Sequence, residues 1–250
     1  MALCRLILVL NLSLLCPQFI NCALVDACSF NVKVKQILRN EGFHRNITYG
    51  IVFNADDERE RWLYRDCILA LEQMLPRGLF ANPDELSDLR RSQRLNAIPK
   101  NKVNIEMPAE DSETSSVYVI GKVTASKVYL WLPIHARYHR SMAGGGMVRN
   151  EIPQPVLYLR CPDQRLAACD QHVSPAVTFL CNGSSREKCS WKEIPYTMMT
   201  ATPVWEIPVG NMDHYYIVAL CTASVIVAGS FYLLKAIHEY KTADKKKKQY

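Results

Sequence analysis

The sequence lacks the short motifs that mark many nucleotide-dependent and hydrolytic enzymes. It has no Gly-x-Ser-x-Gly elbow, no Asp-x-Asp pair and no Walker loop, and the glycine triplet at 144–146 is not followed by a helix start. A metal-dependent sugar transferase needs paired acidic groups to hold a cation or to activate a hydroxyl. These absences predict a chain with no catalytic residues and no cofactor.

Zinc-ligand patterns are missing as well. No two cysteines are separated by only two residues, which argues against a structural zinc site. His135 and His139 are four residues apart, but they lie in a strand-like stretch after Pro133 and have no neighbouring glutamate. Adjacent Asp56 and Asp57 sit in a turn, where their ordinary role is to hydrogen-bond the backbone. The sequence therefore predicts no metal site.

The positive charge of the chain is concentrated at one end. The whole chain carries +6. Residues 235–250 contain six lysines and two acidic residues, which gives +4, and residues 1–27 sum to zero. Only +2 is left for residues 28–214, so this part has no basic face for nucleic acid.

Apolar segments lie near both termini. The first, residues 6–15, follows Arg5 and is too short for a bilayer core, which needs about 20 residues. With small residues at Ala23 and Ala27, it predicts a signal peptide over residues 1–27, cleaved after one of these two alanines. The second, residues 215–234, has 20 residues without a charge and predicts a transmembrane helix.

The two segments together predict a single-pass type I topology. A cleaved signal peptide places residues 28–214 in the lumen and residues 235–250 in the cytosol, in agreement with the positive-inside rule. Lys247 and Lys248 are the fourth and third residues from the C-terminus and form a dilysine retrieval signal for a coat receptor. This predicts residence in the endoplasmic reticulum membrane. The same lysines could instead contact anionic lipid, at about 1 kcal/mol each, and the two roles are compatible.

Cysteines and sequons fit an oxidising, glycosylating compartment. An even number of cysteines falls in the luminal part, which predicts disulfides but leaves 15 possible pairings: Cys28, Cys67, Cys161, Cys169, Cys181 and Cys189. The spacing of the last four predicts that they join one region to itself. Asn46 and Asn182 begin Asn-x-Thr and Asn-x-Ser sequons and are predicted glycosylation sites.

The periodicity of the luminal part is mostly two, which favours short strands. The predicted fold is mainly β: a luminal antiparallel β-sandwich-like domain with one short helix, plus a single C-terminal transmembrane α-helix. The helix is predicted over residues 84–95, with Asn82 and Pro83 at its start. Residues 107–116 are predicted to be an acidic exposed loop and residues 140–150 a mobile connection. Strands are predicted at 47–53, 103–107, 117–123, 127–139, 156–161, 177–181 and 204–209.

Five stretches of the sequence resemble the PIG-X family of glycosylphosphatidylinositol (GPI) biosynthesis. They are Gly42-Phe43-His44-Arg45, Leu75-Pro76-x-Gly78-Leu79, Pro83-x-Glu85-Leu86, Leu132-Pro133-x-His135-x-Arg137-Tyr138-His139-Arg140 and Pro208-Val209-Gly210. The resemblance implies a non-catalytic accessory subunit that stabilises a PIG-M-like multi-spanning mannosyltransferase in a heterodimer. That partner would transfer the first mannose from dolichol-phosphate-mannose to the GPI precursor.

The polar and aromatic residues of these stretches that are expected to be exposed are the candidates for the partner interface, because arginine and tyrosine combine contact area with directional donors. They are His44, Arg45, His135, Arg137, Tyr138, His139 and Arg140. Pro76, Gly78 and Pro133 are expected to shape turns, and Leu79 and Leu132 to fill the core. Alternative functions are a membrane chaperone retrieved to the endoplasmic reticulum and a type I ectodomain at the cell surface.

Overall fold

A computed structural model describes residues 30–54, 64–124, 126–169, 176–183 and 186–247. It divides into two compact units, one formed by residues up to 139 with 149–207, the other by 140–148 with the residues from 208 onward. The strands are β1 (Val32–Arg39), β2 (His44–Phe53), β3 (Ile68–Leu75), β4 (Leu79–Phe80), β5 (Asn96–Pro99), β6 (Ser115–Lys122), β7 (Lys127–Ala136), β8 (Gly146–Glu151), β9 (Val156–Arg160), β10 (Val177–Leu180), β11 (Lys188–Glu193), β12 (Thr197–Met198) and β13 (Val204–Val209). The α-helices are α1 (Pro83–Arg91) and α2 (Tyr215–Lys247).

The strands form two large sheets and one two-stranded sheet. The five-stranded sheet has the order β12-β1-β2-β7-β4, the six-stranded sheet β10-β11-β9-β3-β6-β5, and β13 joins β8. Within the two large sheets every pairing is antiparallel apart from the parallel pair of β1 and β12. The prediction of a mainly β, antiparallel fold is confirmed.

Side chains of both large sheets share one apolar core. Val34 and Ile51 contribute from the five-stranded sheet, and Leu69 and Leu71 from β3 at the centre of the six-stranded sheet. The six-stranded sheet has a second cluster in which Phe179 stacks on Tyr118 and Trp191 and packs beside Ala70 and Tyr158. Because β3 contributes to both clusters, it is covered on both faces, which a two-layer sandwich alone does not explain.

A buried hydrogen-bond network joins the two sheets. Gln36 on β1 donates to the side-chain oxygen of Gln73 on β3 at 2.9 Å, and the Tyr49 hydroxyl of β2 donates to the same oxygen at 2.8 Å. Gln73 in turn donates to the carbonyl of Pro153 at 2.9 Å. Burial raises the pKa of Tyr49 well above its usual value, so the phenol stays a donor. A satisfied buried network of this kind favours one arrangement of the two sheets.

Helix α1 starts where the sequence predicts. The Asn82 side chain accepts a hydrogen bond from the Asp84 N–H at 3.0 Å, and Pro83 occupies the first turn. The apolar side of the helix buries Leu86. The helix ends at Arg91 rather than near residue 95, because Gln93 adopts a left-handed φ of 57° and the next residues join the sheet as β5.

Strands β1, β3 and β11 are not predicted from the sequence, and some other segments differ from the structure predicted for them. Residues 103–107 form an irregular segment with bends at 105–107 instead of a strand, and the carbonyls of Asn104 and Met107 accept hydrogen bonds from a buried arginine. Residues 146–151 form β8 instead of belonging to a loose connection. The loop at 107–116 is anchored, since Ala109 is buried and its N–H donates to the Tyr138 carbonyl at 3.0 Å.

Among the described residues, two disulfides link strands or their ends. Cys67 pairs with Cys161, and Cys181 with Cys189. The second lies within the cysteine cluster as predicted, but Cys161 bonds outside that cluster because antiparallel β3 and β9 bring the two segments side by side. Cys28 lies outside the described residues, and Cys169 ends a 3₁₀ segment, Pro162–Cys169.

Among the described residues, α2 is the one helix long and apolar enough to cross a membrane. It begins at Tyr215, after Asn211 accepts a hydrogen bond from the Asp213 N–H at 2.9 Å. Its 33 residues correspond to about 50 Å, so it extends past the uncharged run that ends at Leu234. Lys247 is its last residue; Lys248 and the predicted signal peptide lie outside the described residues.

Candidate functional site

Two of the predicted interface residues, His44 and His135, meet at one end of the five-stranded sheet. They are direct cross-strand partners on antiparallel β2 and β7. Their rings stack with centroids 4.3 Å apart and an angle of 12° between planes. Phe80 of β4 pairs with His135 from the other side, and its ring lies 5.3 Å from the imidazole. Strand register therefore brings together three separate segments of the chain.

Glu85 of helix α1 contacts both histidines. Its Oε2 lies 2.7 Å from His135 Nε2, and its Oε1 lies 3.3 Å from His44 Nε2. The glutamate stands in the first turn of the helix, where the unpaired backbone N–H groups favour a negative charge. The His44 side chain is 54% exposed, whereas those of His135 and Glu85 are about half as exposed. We call these three residues the His–Glu cluster.

Arg137 lies behind this surface instead of on it. It is only 4% exposed, and its guanidinium donates to the carbonyls of Asn104 and Met107 at 2.7 and 2.8 Å. The same group lies 4.6 Å from the centre of the Phe80 ring. Desolvation by burial lowers the pKa of Arg137 from its usual value. The expectation that Arg137 is exposed is wrong: it holds the 104–107 segment against the sheet.

His139 is also largely enclosed, with an 8% exposed side chain. Its Nε2 lies 3.3 Å from the Asn150 side-chain nitrogen. A Cβ on Gly78 would come within 2.1 Å of the Asn150 oxygen and 2.8 Å of His139. Gly78 is thus required where it stands, in the turn in which the Leu79 N–H donates to the Pro76 carbonyl. The expected turn role of Pro76 and Gly78 agrees with this geometry.

Tyr138 is 82% exposed. Phe43, 46% exposed, lies beside it with ring centroids 6.2 Å apart. The two meet because Phe43 precedes β2 and Tyr138 follows β7, so both stand at the same ends of paired strands. Arg45, on β2, places its guanidinium 4.9 Å from the centre of the Trp205 ring. Arg140 is exposed and belongs to the second compact unit.

Comparison with known proteins now decides the family. A family model described as PIG-X / PBN1 matches residues 40–238, which include both the strands that carry these residues and most of α2. The chain belongs to the PIG-X / PBN1 family. The resemblance carried by the five short stretches is confirmed.

Curated relatives of the PIG-X / PBN1 type cover most of the chain. A rat protein named "GPI alpha-1,4-mannosyltransferase I, stabilizing subunit" is 27% identical over 220 residues, 86% of this chain and 85% of its own length. A mouse protein of the same name is also 27% identical over the same shares. The human protein of that name is 25% identical, over 86% of this chain and 83% of its own length.

The stretches that resemble PIG-X contain residues that sequence reasoning did not select for the interface. Glu85 and Phe43 both lie in those stretches, but an acidic residue in a first helical turn and an aromatic before a strand have ordinary structural roles. Phe80 lies just outside them. These residues could have been selected only if the pairing of β2 with β7 and of β4 with β7 had been predicted.

Both predicted glycosylation sites lie in the first compact unit. Asn46 is within β2, opposite Pro133 of β7, and is partly exposed. Asn182 follows the disulfide-bonded Cys181 in the turn between β10 and β11 and is partly exposed as well. Glycosylation of both asparagines stays a prediction.

Proposed function

We propose that this chain is a non-catalytic, stabilising subunit of GPI mannosyltransferase I. The observation that carries the proposal is the extent of the family match, which runs through the β-rich unit and most of α2 rather than over one local motif. The names of the rat, mouse and human relatives agree with it. The chain works as a folded binding surface and supplies no catalytic group.

The proposed partner is a PIG-M-like, multi-spanning catalytic subunit that forms a heterodimer with this chain. The partner transfers the first mannose from dolichol-phosphate-mannose to the GPI precursor. This chain binds the folded form of the partner and not its unfolded form, so binding raises the partner's apparent stability by mass action. Loss of this chain then lowers the amount of the partner, and mannose transfer falls with it.

The proposed contact surface is built around the exposed residues Tyr138 and Phe43. It includes His44 and Arg45, the first two residues of β2. Large aromatic rings and arginines are the side chains that most often dominate binding energy. Arg140, which is exposed and belongs to the second compact unit, is proposed as a separate contact residue. Of the remaining predicted residues, His135 joins the His–Glu cluster, while Arg137 and His139 act from beneath by holding loops in place.

The proposed location is the endoplasmic reticulum membrane, with α2 as a single type I span and the β-rich unit in the lumen. A signal peptide over residues 1–27 and the lysine-rich tail support this orientation. Lys247 and Lys248 are proposed to bind the retrieval coat, and the other tail lysines to contact anionic lipid.

A co-purification experiment tests the proposal. The full chain, tagged directly after the predicted signal peptide so that the C-terminus stays free, is expressed in cells that lack the native subunit and is purified in mild detergent. We expect one multi-spanning mannosyltransferase at near-equal amount, and a fall of that enzyme when the chain is removed. Capture of many unrelated secretory proteins would favour the chaperone, and arrival of the chain at the plasma membrane would favour a surface ectodomain.

The accessory role itself is tested by changing the amount of the partner. If this chain only stabilises the catalytic subunit, overexpressing that subunit in cells without this chain restores part of the mannose transfer. Mannose transfer by this chain purified alone would overturn the non-catalytic role.

A further inference from the structure

We propose that the His–Glu cluster is a zinc-binding site. Its three ligands come from different elements: His44 from β2, His135 from β7 and Glu85 from α1. One donor atom of each lies within 4.8 Å of the other two. His135 Nε2 lies 2.7 Å from Glu85 Oε2, and His44 Nε2 lies 3.3 Å from Glu85 Oε1. The site does not depend on the proposed function.

The donor set favours zinc over the common hard cations. Two imidazole nitrogens and one carboxylate oxygen form a ligand set found in open zinc sites, whereas Ca²⁺ and Mg²⁺ prefer all-oxygen sites. Zinc bonds of about 2.0–2.2 Å in a tetrahedron separate the donors by roughly 3.3–3.6 Å. His44 Nε2 lies at this distance from Glu85 Oε1, whereas His135 Nε2 contacts the other carboxylate oxygen, Oε2, at 2.7 Å. For zinc to bind, the contact of His135 with Glu85 opens by less than about 1 Å, and the carboxylate turns so that one oxygen serves both histidines.

One ring has to turn to receive the ion. The imidazoles stack nearly parallel, so their ring nitrogens lie side by side rather than converging on one point. His135 is held between Phe80 and the His44 ring, whereas His44 is more than half exposed and has room to rotate. The zinc site is thus formed by movement of His44 toward the pair made by Glu85 and His135.

A bound ion would cross-link α1 to one end of the five-stranded sheet. Helix α1 carries Glu85, and the two strands carry the histidines, so one ion bridges three segments. Three protein ligands leave a fourth tetrahedral position on the exposed side for water or for a donor from another protein. The sequence prediction of no metal site rested on ligand spacing, and no spacing rule covers ligands that distant segments contribute separately.

The test uses the full chain, purified in mild detergent, stripped with a chelator and titrated with Co²⁺ as a spectroscopic substitute for Zn²⁺. We expect saturable binding of one ion per chain, with the strong visible absorption of tetrahedral cobalt, and displacement by zinc. Bound zinc is counted independently by elemental analysis after gel filtration.

Matched variants locate the ion. His44→Gln and Glu85→Gln should each weaken binding by at least about 100-fold, because loss of an outer partner alone costs roughly 10–100-fold. His214→Gln makes the same substitution in the second compact unit, outside the cluster, and should leave binding unchanged. His44 is the most exposed ligand, so His44→Gln should keep the fold, which near-ultraviolet circular dichroism checks.

Two results overturn the proposal. One is the absence of saturable binding at one ion per chain by the unchanged protein. The other is equal affinity of the His44→Gln and His214→Gln proteins, which would place the bound ion elsewhere and leave the cluster as a hydrogen-bonded histidine pair sharing one carboxylate.

Discussion

His44 and His135 are direct cross-strand partners, and the single carboxylate of Glu85 contacts both imidazoles. The other predicted interface residues fall into two groups according to their exposure. Residues at the strand ends, above all Tyr138, are exposed, whereas Arg137 and His139 are enclosed and position their neighbours. Substitutions in the two groups should therefore have different effects, on binding for the first group and on folding for the second.

Tyr138→Ala should weaken capture of the catalytic subunit without destabilising this chain. An aromatic anchor in an interface contributes about 2 kcal/mol or more, which corresponds to roughly 30-fold in affinity. Its 82% exposed ring makes little contribution to the fold. Co-purification of the partner, normalised to the amount of this chain, measures the effect.

Tyr129→Ala is the matched control, because Tyr129 lies on β7, which ends two residues before Tyr138, and is 77% exposed. Partner capture should stay close to that of the unchanged protein. If both alanine variants lose the partner to the same extent, the contact surface is not centred on Tyr138.

Arg137→Ala should destabilise the β-rich unit by about 2–4 kcal/mol, because the carbonyls of Asn104 and Met107 lose charged donors and the Phe80 ring loses its cation. For a unit of this size that loss lowers Tm by very roughly 5–15 °C. Arg137→Lys should recover only part of the stability. Both carbonyls bond to one nitrogen, Nη1, which an ammonium can replace, but an ammonium lacks the planar group that lies over the Phe80 ring. Thermal unfolding of the detergent-purified chain measures both.

Arg140→Ala serves as the comparison for Arg137, because Arg140 is exposed. A Tm decrease as large as that of Arg137→Ala would show that loss of positive charge, and not loss of the buried contacts, causes the effect.

How much of the fold the sequence predicts depends on where each strand lies. Residues 204–209 alternate between buried and exposed positions, and the strand is found where predicted. Residues 68–75, Ile-Leu-Ala-Leu-Glu-Gln-Met-Leu, do not alternate between apolar and polar side chains and are rich in good helix formers, so the sequence does not predict β3. Burial on both faces overrides local propensity for this central strand.

The candidate site was predicted in its residue types and not in its geometry. The resemblance to the PIG-X family pointed to His44, His135 and Tyr138, but whether a side chain is exposed depends on partners from distant segments. Arg137 is buried because residues 104–107 fold over it as an irregular segment, although their own alternation predicts a strand. Local periodicity carries no information on such long-range contacts.

Gly78→Ala should destabilise the chain by about 1–3 kcal/mol, because its Cβ would overlap the Asn150 side chain and His139. Gly50→Ala is the control: there the added Cβ lies 3.7 Å from Tyr129, an ordinary contact. Adding Asn150→Ala to Gly78→Ala removes the closest overlap, so the double variant should lose less stability than the sum of the two single variants. Strict additivity in chemical denaturation would contradict the packing assigned to Gly78.

The Cys67–Cys161 and Cys181–Cys189 disulfides should differ in their contribution to stability. Cys67 and Cys161 are 94 residues apart, whereas Cys181 and Cys189 are 8 apart. The loop-entropy model gives about 4.7 kcal/mol for the longer loop and about 2.5 kcal/mol for the shorter one. Cys67 is also fully buried between the sheets, so its replacement leaves a small cavity in the core. The pair Cys67→Ala/Cys161→Ala should therefore lose at least about 2 kcal/mol more than Cys181→Ala/Cys189→Ala in denaturant unfolding. An equal loss from the two pairs would mean that the unfolded chain is already restricted in the region that the longer loop encloses.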